Sequence, residues 1–467
     1  MVKYIFKIVM IFAIILNFSM LSFAQNDTLV LSYDEYINYV VNHHPLFENA
    51  NLKLEQGEAT IIAAKGNFDP VLSSNFKEKN LSDDLYYRQF EGKLVYPTPL
   101  GIDVVAGYQN NSGVYLNPEN RTDDFGLWNV GLEINVLQGL WINERRTQLR
   151  QARIFNEMAA NERAIAINDL LYNAITAYIN WQQYEEIQEA LNENIAISET
   201  YYLNTTESFL GGEKTGMDTL EAYILYQDAI IFAQKNELNL RKARVNASNF
   251  LWQGDQPVLI ASGVIPSELD ELDLPLPNFD ISTIDQNHPV IQAAINKLSY
   301  LEVERRLKKE KFKPKLKLKF NPLLTTMDDS VVPTYSTNDY KWGIDFSMPL
   351  YYRSERGNLQ LSQIKIETAQ NELANKRNEL VNKSTNSLQL QEILRDQIVL
   401  LEQNVERYAL LLAGEEEKFL FGESSVFLLN KRQEKFFQSQ IKLIETKAKL
   451  ESEKLYYLYL TNTLYQE

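Results

Sequence analysis

The sequence predicts an α+β chain made of two similar halves, each combining β-strands with a very long helical hairpin. Three observations predict this fold: a residue spacing that occurs twice, two long tracts without proline, and segments in which apolar residues alternate with polar ones. Self-similarity at a fixed spacing is the signature of a repeated structural unit. We therefore expect two structurally equivalent halves within one body.

The duplicated unit is defined by its prolines. His44-Pro45 is answered by His288-Pro289, and in both copies a Phe-x-Pro motif places a second proline 25 residues after the first, at Pro70 and Pro314. Three later echoes keep the same order in each half. They pair Gly131 with Gly343, Glu144-Arg145 with Glu355-Arg356, and Phe209-x-x-Gly212 with Phe419-x-x-Gly422.

The first 24 residues have the composition of an export signal. They contain Lys3 and Lys7, an apolar core from Ile8 to Leu16, and a small residue, Ala24, at the end. These are the parts of a cleavable secretory signal. The apolar core is shorter than the roughly 20 residues that a membrane-spanning helix needs. We therefore expect residues 1–24 to be removed on export.

The acidic composition excludes some classes of function. The net charge is −16, and removal of the signal takes away two Lys and no acidic residue, which leaves −18. Nucleic-acid binding relies on clustered Lys and Arg, so no nucleic-acid partner is expected. The chain has no Cys, which excludes disulfides and thiolate metal sites.

No pattern in the sequence indicates catalysis. No nucleophile is paired with a base and no glycine-rich phosphate loop occurs, so we expect neither an enzyme nor a cofactor. The histidines are His43, His44 and His288. Adjacent residues on a helix point in different directions, so His43 and His44 do not indicate a metal site; a His at a helix boundary before Pro explains His44 and His288 better.

Two long tracts predict the helices. Residues 119–256 and 350–467 contain no Pro, and within them Gly is absent from 140–210 and from 358–413. Leu, Ala, Glu, Gln, Asn, Arg and Lys dominate these tracts, which favours uninterrupted helix. A helix of about 68 residues is roughly 100 Å long.

Apolar residues in these helices recur at steps of three and four, which is the pattern of a coiled-coil seam. The two seams are Ala164, Ile167, Leu171, Ala174, Tyr178 and Trp181 in the first half, and Leu394, Ile398, Leu401, Val405, Tyr408 and Leu412 in the second. Each helix ends near a Phe-x-x-Gly element, and a further helical tract follows at 217–251 and 425–464. Gly commonly ends helices in a left-handed turn, so we expect two long helical hairpins.

Strands are predicted where the period changes to two. Apolar and polar residues alternate at 128–136 and 340–348, and more briefly at 316–320 and 102–108. Such alternation fits a half-buried soluble sheet and also a membrane barrel. Strand lengths near the 9 to 11 residues of a barrel, aromatic residues at the strand ends and the export signal favour the barrel, but so few strands require several chains to share it.

The remaining segments give the domain limits. We expect a signal peptide at 1–24, a first repeat at 25–254, an acidic proline-rich linker at 255–281 and a second repeat at 282–467. Within the repeats, a helical run from 281 to 312 mirrors one from 33 to 68.

These features resemble the TolC family of outer-membrane factors, also known as outer membrane efflux proteins. The resemblance covers essentially the whole mature chain and rests on the signal, the two His-Pro helices, the strands running into Pro-free helices and the paired helix tips. The segment from Gly422 to Arg432 also resembles the second tip of many members. The family commonly has Tyr where this chain has Phe209 and Phe419, a change that keeps the aromatic ring.

The resemblance implies a membrane protein of the α+β class that assembles as a homotrimer. Each chain would give four strands to a trans-subunit antiparallel β-barrel of twelve strands in outer-membrane lipid, and its helices to an α-barrel tunnel across the periplasm. Such a channel-tunnel is the passive exit duct of a tripartite efflux or type I secretion system, working with a periplasmic adaptor (membrane fusion protein) and an inner-membrane pump. The alternative is a secreted or periplasmic structural coiled-coil protein with a soluble β cap.

The resemblance also implies where the functional residues lie. The family gate is at the helix tips, where Asp218 and Glu221 match acidic positions of the family motif. Arg432 is a further gate candidate, as a partner of Asp218 across neighbouring hairpins, and its alternative is a solvated Arg on a helix face. The tip turns contain Phe209, Gly212, Phe419 and Gly422. The other interpretation of Asp218 is an ordinary helix cap. Alternation on the strands predicts that Glu133, Asp345, Lys315, Lys317 and Lys319 face the barrel water. The segment 80–124 adds either strands or an external loop, and neither the exported substrate nor the pump class follows from the sequence.

Overall fold

The computed structural model describes residues 29–272, 274, 287–325 and 333–465. The predicted signal at 1–24, residues 273 and 275–281 of the predicted linker, and residues 281–286 of the helical run predicted at 281–312 lie outside the described residues. The described elements, in chain order, are β1 (Leu29–Leu31), α1 (Tyr33–His43), α2 (Pro45–Gly66), β2 (Val71–Leu81), β3 (Asp84–Pro97), β4 (Ile102–Ser112), β5 (Leu127–Asn135), α3 (Glu144–Leu210), α4 (Gly216–Ser248), β6 (Trp252–Gln253), β7 (Gln256–Pro257), β8 (Val264–Pro266), α5 (Pro289–Glu310), β9 (Lys315–Thr325), β10 (Thr334–Ser347), α6 (Arg353–Leu420) and α7 (Val426–Thr461).

The two long helices are confirmed. Helix α3 has 67 residues and α6 has 68. Gly357 and Gly414 lie inside α6, so the glycine-free tract underestimated its length. An interior Gly costs only about 1 kcal/mol relative to Ala, which packing offsets easily. The described helices include none long and apolar enough to cross a membrane.

The helical run expected at 33–68 is divided in two. His44 is the C-cap of α1 in an extended conformation, with φ −75° and ψ 128°, and α2 begins at Pro45. The residue before a Pro is pushed out of the helical region, which explains the break. In the second repeat α5 likewise begins at Pro289, with His288 as its N-cap.

The sheet contains six strands in the order β10-β9-β5-β4-β3-β2, antiparallel throughout. The four strands per chain implied by the resemblance are therefore wrong for this protein. The additional two are β3 and β4, which come from the segment 80–124 and show that it adds strands. Strand β2 had no periodic signal, because both of its faces are largely polar between Ser73 and Asn80.

The chain forms two compact units, one of residues 1–47, 168–278 and 383–467 and the other of 48–167 and 279–382. Helices α2, α3 and α6 contribute residues to both. The second unit contains the six-stranded sheet. Within that unit Lys53 of α2 pairs with Glu162 of α3 at 3.3 Å, and Lys297 of α5 pairs with Glu372 of α6 at 3.1 Å.

The first unit is organised around an aromatic core. Tyr36, Tyr178 and Trp181 are fully buried. The Tyr36 hydroxyl donates to the Ala247 carbonyl at 3.0 Å, which joins α1 to α4. Of the predicted seam positions of α3, residues 167, 171, 174, 178 and 181 are buried and 164 is half-buried; of those of α6, residues 394 and 412 are buried and 398, 401, 405 and 408 are half-buried.

Part of the predicted linker is packed in this first unit. Strand β8 pairs in parallel with β1. Ser267, just after β8, donates its backbone N–H to the Tyr178 hydroxyl at 3.1 Å, and Gln182 donates to the Ser267 carbonyl at 2.8 Å. Residues 264–267 are therefore held by strand pairing and buried hydrogen bonds rather than being freely extended.

Candidate functional site

The sheet has one face that is apolar and exposed. The register aligns Leu94 with Ala106, Ala106 with Val130, and Leu132 with Phe320, so apolar side chains continue from strand to strand. We call this the apolar face. Its residues are Leu72, Phe76, Phe90, Leu94, Val104, Ala106, Trp128, Val130, Leu132, Leu318, Phe320, Trp342, Ile344 and Phe346. Val130 is 48% exposed, Phe346 62% and Trp342 67%.

The opposite side, the polar face, carries charged residues that pair across strands. Glu133 of β5 is 8% exposed and lies between two ammonium groups: Lys93 Nζ is 3.4 Å from its Oε1, and Lys317 Nζ pairs with its Oε2. Lys319 Nζ lies 2.5 Å from Asp345 Oδ2. The predicted Glu133, Asp345, Lys317 and Lys319 therefore share this face and form two ion pairs, Glu133 with Lys317 and Asp345 with Lys319.

Lys315 occupies the first position of β9 on the same polar face, opposite Ser347. It lines an open cavity of about 800 Å³ together with Lys317, Asp345 and Glu310. Lys93 was missed in the sequence analysis, because the alternation of β3 was not recognised. Lys93 lies two residues after Glu91 and directly before Leu94. This spacing places Lys93 on the same strand face as Glu91 and opposite Leu94, which is the signal that identifies it.

The two faces favour one of the two settings left open by the alternation. A half-buried soluble sheet covers its apolar face and exposes its polar face. Here the buried carboxylate of Glu133 lies on the polar face, while the apolar face has no cover among the described residues. Apolar residues facing outwards opposite a charged interior is the pattern of strands that face lipid.

The helix tips have matched turns. Gly212 and Gly422 have φ of +81° and +76°, a conformation that Gly adopts without steric cost. Glu213 N–H donates to the Ser208 carbonyl at 2.9 Å, and Glu423 N–H donates to the Lys418 carbonyl at the same distance. Both α3 and α6 thus end in a Schellman motif, as the repeated Phe-x-x-Gly spacing predicts.

Asp218 lies in a capping box at the start of α4. The Asp218 backbone N–H donates to Thr215 Oγ1 at 3.3 Å, and its carboxylate accepts from the Thr215 N–H at 2.9 Å and from Oγ1 at 2.8 Å. The two hydrogen bonds that the carboxylate accepts from Thr215 lower the pKa of Asp218, and the bond from the backbone N–H has the larger effect. The structure places Glu221 in the same first turns of α4, without bringing it to Arg432. A gate role for Asp218 and Glu221 stays a prediction.

Arg432 contacts a carboxylate that the sequence analysis did not select. Its Nε lies 3.4 Å from Oε2 of Glu415, and Ser424 Oγ donates to the other oxygen of Glu415 at 2.5 Å. The contacts with Ser424 and Arg432 lower the pKa of Glu415, and the hydrogen bond from Ser424 has the larger effect. Within one chain Arg432 therefore joins the two helices of the second tip by its ion pair with Glu415. Its pairing with Asp218 of a neighbouring hairpin stays a prediction.

A second missed contact joins the two long helices near their tips. The Tyr201 hydroxyl of α3 donates to Oε1 of Glu416 of α6, and burial raises the pKa of Glu416. The signal for both missed acids was the run Glu415-Glu416-Glu417 just before Phe419. Such a run of charge usually marks a solvated helix face. Only the contacts with Arg432 and Tyr201, which form on folding, distinguish Glu415 and Glu416 from ordinary solvated residues.

The comparisons with known proteins agree with this geometry. Residues 281–455 match the family model described as "Outer membrane efflux protein". This segment of the chain is therefore similar to outer membrane efflux proteins. This match confirms the predicted resemblance to outer membrane efflux proteins over that segment, and it agrees with the expected location in the outer membrane.

Solved structures of outer-membrane channels share the fold of this chain. The Campylobacter jejuni CmeC channel has a TM-score of 0.67 at 12% identity, covering 93% of this chain and 86% of its own. VceC from Vibrio cholerae scores 0.66 at 13% identity, covering 92% and 95%. The open state of Neisseria gonorrhoeae MtrE scores 0.66 at 15% identity, covering 92% and 88%. Comparison with curated protein sequences gave no match.

The two helix tips line an open cavity whose charged residues are mainly acidic. It measures about 1020 Å³ and is lined by Tyr201, Glu207, Glu213, Glu416 and Lys214 among others. Lys214 Nζ lies 4.2 Å from the centre of the Phe419 ring, so the first tip turn contacts the second by a cation–π interaction. Excess carboxylates in a cleft attract cations and repel anions.

The histidines lie at helix boundaries. His44 accepts from the Leu46 backbone N–H at 3.1 Å and stacks on Phe250 with ring centroids 5.9 Å apart. Burial lowers the pKa of His44, which favours the neutral ring. His43 packs instead beside Tyr39, so the adjacent histidines point in different directions, as expected.

Proposed function

We propose that this outer membrane efflux protein is one subunit of a homotrimeric channel-tunnel, the exit duct of a tripartite efflux or type I secretion system. It conducts solute passively across the periplasm and the outer membrane. A periplasmic adaptor docks on it, and an inner-membrane pump supplies both the energy and the choice of substrate. A passive duct needs a lumen, a gate and a docking surface, and no catalytic group.

The observation that carries the proposal is the two-faced sheet. Its apolar face exposes Val130, Trp342 and Phe346, whereas its polar face buries Glu133 between two lysines. Lipid is the solvent that such an apolar face matches, and a water-filled lumen is the matching environment for the charged face. The sheet is too narrow to enclose a lumen by itself, which supports closure by several chains.

The helical hairpins and their tips support the remaining parts of the proposal. A helix of 67 residues is about 100 Å long, long enough to extend across an aqueous compartment to a partner. The acidic cavity at the tips, with Glu207, Glu213 and Glu416, forms a cation-attracting entrance when three copies surround one axis,. Asp218 and Glu221, close to the same tip, are its candidate gate.

Membrane fractionation tests this proposal against the alternative of a soluble coiled-coil protein. The full chain is expressed with its own signal in a double-membraned bacterium, and the envelope is separated by density. We expect the mature protein to sediment with the outer membrane, to resist extraction by high salt and alkali, and to require detergent. Recovery in the aqueous high-salt fraction would refute the duct and favour the soluble structural protein.

A further inference from the structure

The two additional strands β3 and β4 continue the lipid-facing pattern of the sheet. Leu94 of β3 lies opposite Ala106 of β4, and Ala106 lies opposite Val130 of β5, all on the apolar face. Lys93 of β3 reaches Glu133 of β5 at 3.4 Å on the polar face. Strands β3 and β4 are therefore at the same level as β5 and share both of its environments, which an external loop does not.

The sheet ends on both sides in strands whose outer edges have no partner among the described residues. Strand β2 is terminal on one side and β10 on the other, with 11 and 14 residues. An open edge exposes backbone N–H and C=O groups, each costing several kcal/mol in lipid because no water is present to bind them. Both edges therefore need a partner in the membrane.

The number of strands fits pairing between identical copies. Six antiparallel strands place β2 and β10 in opposite directions, so β2 of one copy can pair antiparallel with β10 of the next. Repeating this contact around an axis closes the sheet without any change in strand polarity. An isologous contact of β2 with β2, in contrast, would leave β10 open and would not close the ring.

We infer that β2 of each subunit pairs with β10 of its neighbour and that the trimer closes through a barrel of three times six, or eighteen, strands. The inference rests on the proposed homotrimer and concerns its outer-membrane part. Barrel diameter grows roughly linearly with strand number, so this barrel is about 1.5 times as wide as a twelve-stranded one, and barrels of 16 to 18 strands enclose an aqueous channel. The outer-membrane part of the duct then admits large hydrophilic solutes and lines them with the charges of the polar face.

Disulfide cross-linking tests the contact between the edges. The chain has no Cys, so introduced thiols are its only thiols. Ser73→Cys on the polar face of β2 is combined in turn with Lys341→Cys, Gly343→Cys and Ser347→Cys on β10, which samples the possible registers. We expect oxidation in outer membranes to give covalent dimers and trimers for at least one pair, reversible by reductant.

The controls are the single variants and the pair Ser73→Cys with Gln109→Cys of β4, which should give no trimer. If none of the β2–β10 pairs cross-linked, the inference would be overturned. A ladder that stopped at two chains, or continued beyond three, would instead contradict the proposed trimer. The two failures are therefore distinguishable.

Fluorescence quenching tests whether β3 and β4 lie in the membrane. A fluorophore is attached to Ala106→Cys on the apolar face of β4, to Gln109→Cys on its polar face, and to Leu132→Cys on β5 as the reference. We expect lipid-attached spin labels to quench the probe at 106 to within twofold of that at 132, and the probe at 109 at least fivefold less. Quenching at 132 but not at 106 would place β3 and β4 outside the barrel and overturn the inference, while leaving the duct intact.

Discussion

The assignment of the apolar face to lipid predicts a large difference between two adjacent arginine substitutions. Val130 lies near the middle of β5 on the apolar face and is 48% exposed. An Arg at the midplane of a lipid-facing strand costs about 2–4 kcal/mol. Val130→Arg should therefore lower the ratio of folded to unfolded protein by about 30-fold to 1,000-fold, since about 1.4 kcal/mol corresponds to a factor of ten.

Asn129→Arg is the matched control, because it introduces the same charge one residue away. Asn129 lines a polar cleft of about 220 Å³ whose charged residues are Glu91, Glu133, Lys93, Lys319 and Lys341, so the new guanidinium lies among polar and charged side chains and away from the apolar face. We expect its free energy of unfolding to differ from that of the unsubstituted protein by less than about 1 kcal/mol, the range of a partly exposed ion pair.

The assay is urea unfolding of the protein inserted in lipid vesicles, with tryptophan emission as the signal and heat-modifiable gel mobility as an independent measure of the folded fraction. The predicted order is unsubstituted protein and Asn129→Arg together, with Val130→Arg well below. Equal destabilisation by the two substitutions, or tolerance of Val130→Arg, would refute the assignment of this face to lipid.

Three further predictions concern the helix tips. Burial raises the pKa of Glu416, so the protonated carboxyl stabilises the fold in acid, and this stabilisation is lost as pH rises through that pKa. Glu416→Gln should therefore raise the melting temperature near pH 7 and leave it unchanged near pH 4. Gly422→Ala forces an L-residue to φ +76° at about 1–2 kcal/mol, so it should speed hydrogen exchange of the second tip roughly 5- to 30-fold. Gly414→Ala, inside α6, should slow it or leave it unchanged. Asp218→Ala should alter cation block or single-channel conductance if Asp218 lines the gate. Thr215→Ala removes the cap hydroxyl and keeps the charge, so it should alter neither. Unchanged channels in both variants would leave Asp218 as a helix cap.

The sequence was sufficient to predict elements whose signals are local. Missing Pro and Gly over long tracts predicted α3 and α6, and Gly212 and Gly422 predicted the turns that end them, because helix breaking and left-handed turns depend on the residue itself. The alternation of Lys315 to Phe320 predicted β9 and both of its faces, because successive side chains of a strand point to opposite faces.

Features that depend on partners distant in the chain were not predictable in this way. Strand β2 carries polar residues on both faces, Ser73, Asn75 and Lys77 on one and Ser74 and Glu78 on the other, so only its pairing with β3 makes it a strand. The contact of Arg432 with Glu415 and that of Tyr201 with Glu416 join residues brought together by folding, and one member of each pair lies in a charge run that resembles an ordinary solvated face. The strand count followed the resemblance rather than the residues of 80–124, and was wrong for that reason.

Single-channel recording tests the central claim most directly. Purified full-length protein, solubilised from outer membranes, is added to a planar lipid bilayer in the absence of nucleotide and of any proton gradient. A passive duct predicts discrete, ohmic steps of conductance that favour cations, because the tip cavity is lined by Glu207, Glu213 and Glu416. Failure of detergent-purified, folded oligomers to conduct at all, or conduction that required an energy source, would contradict it.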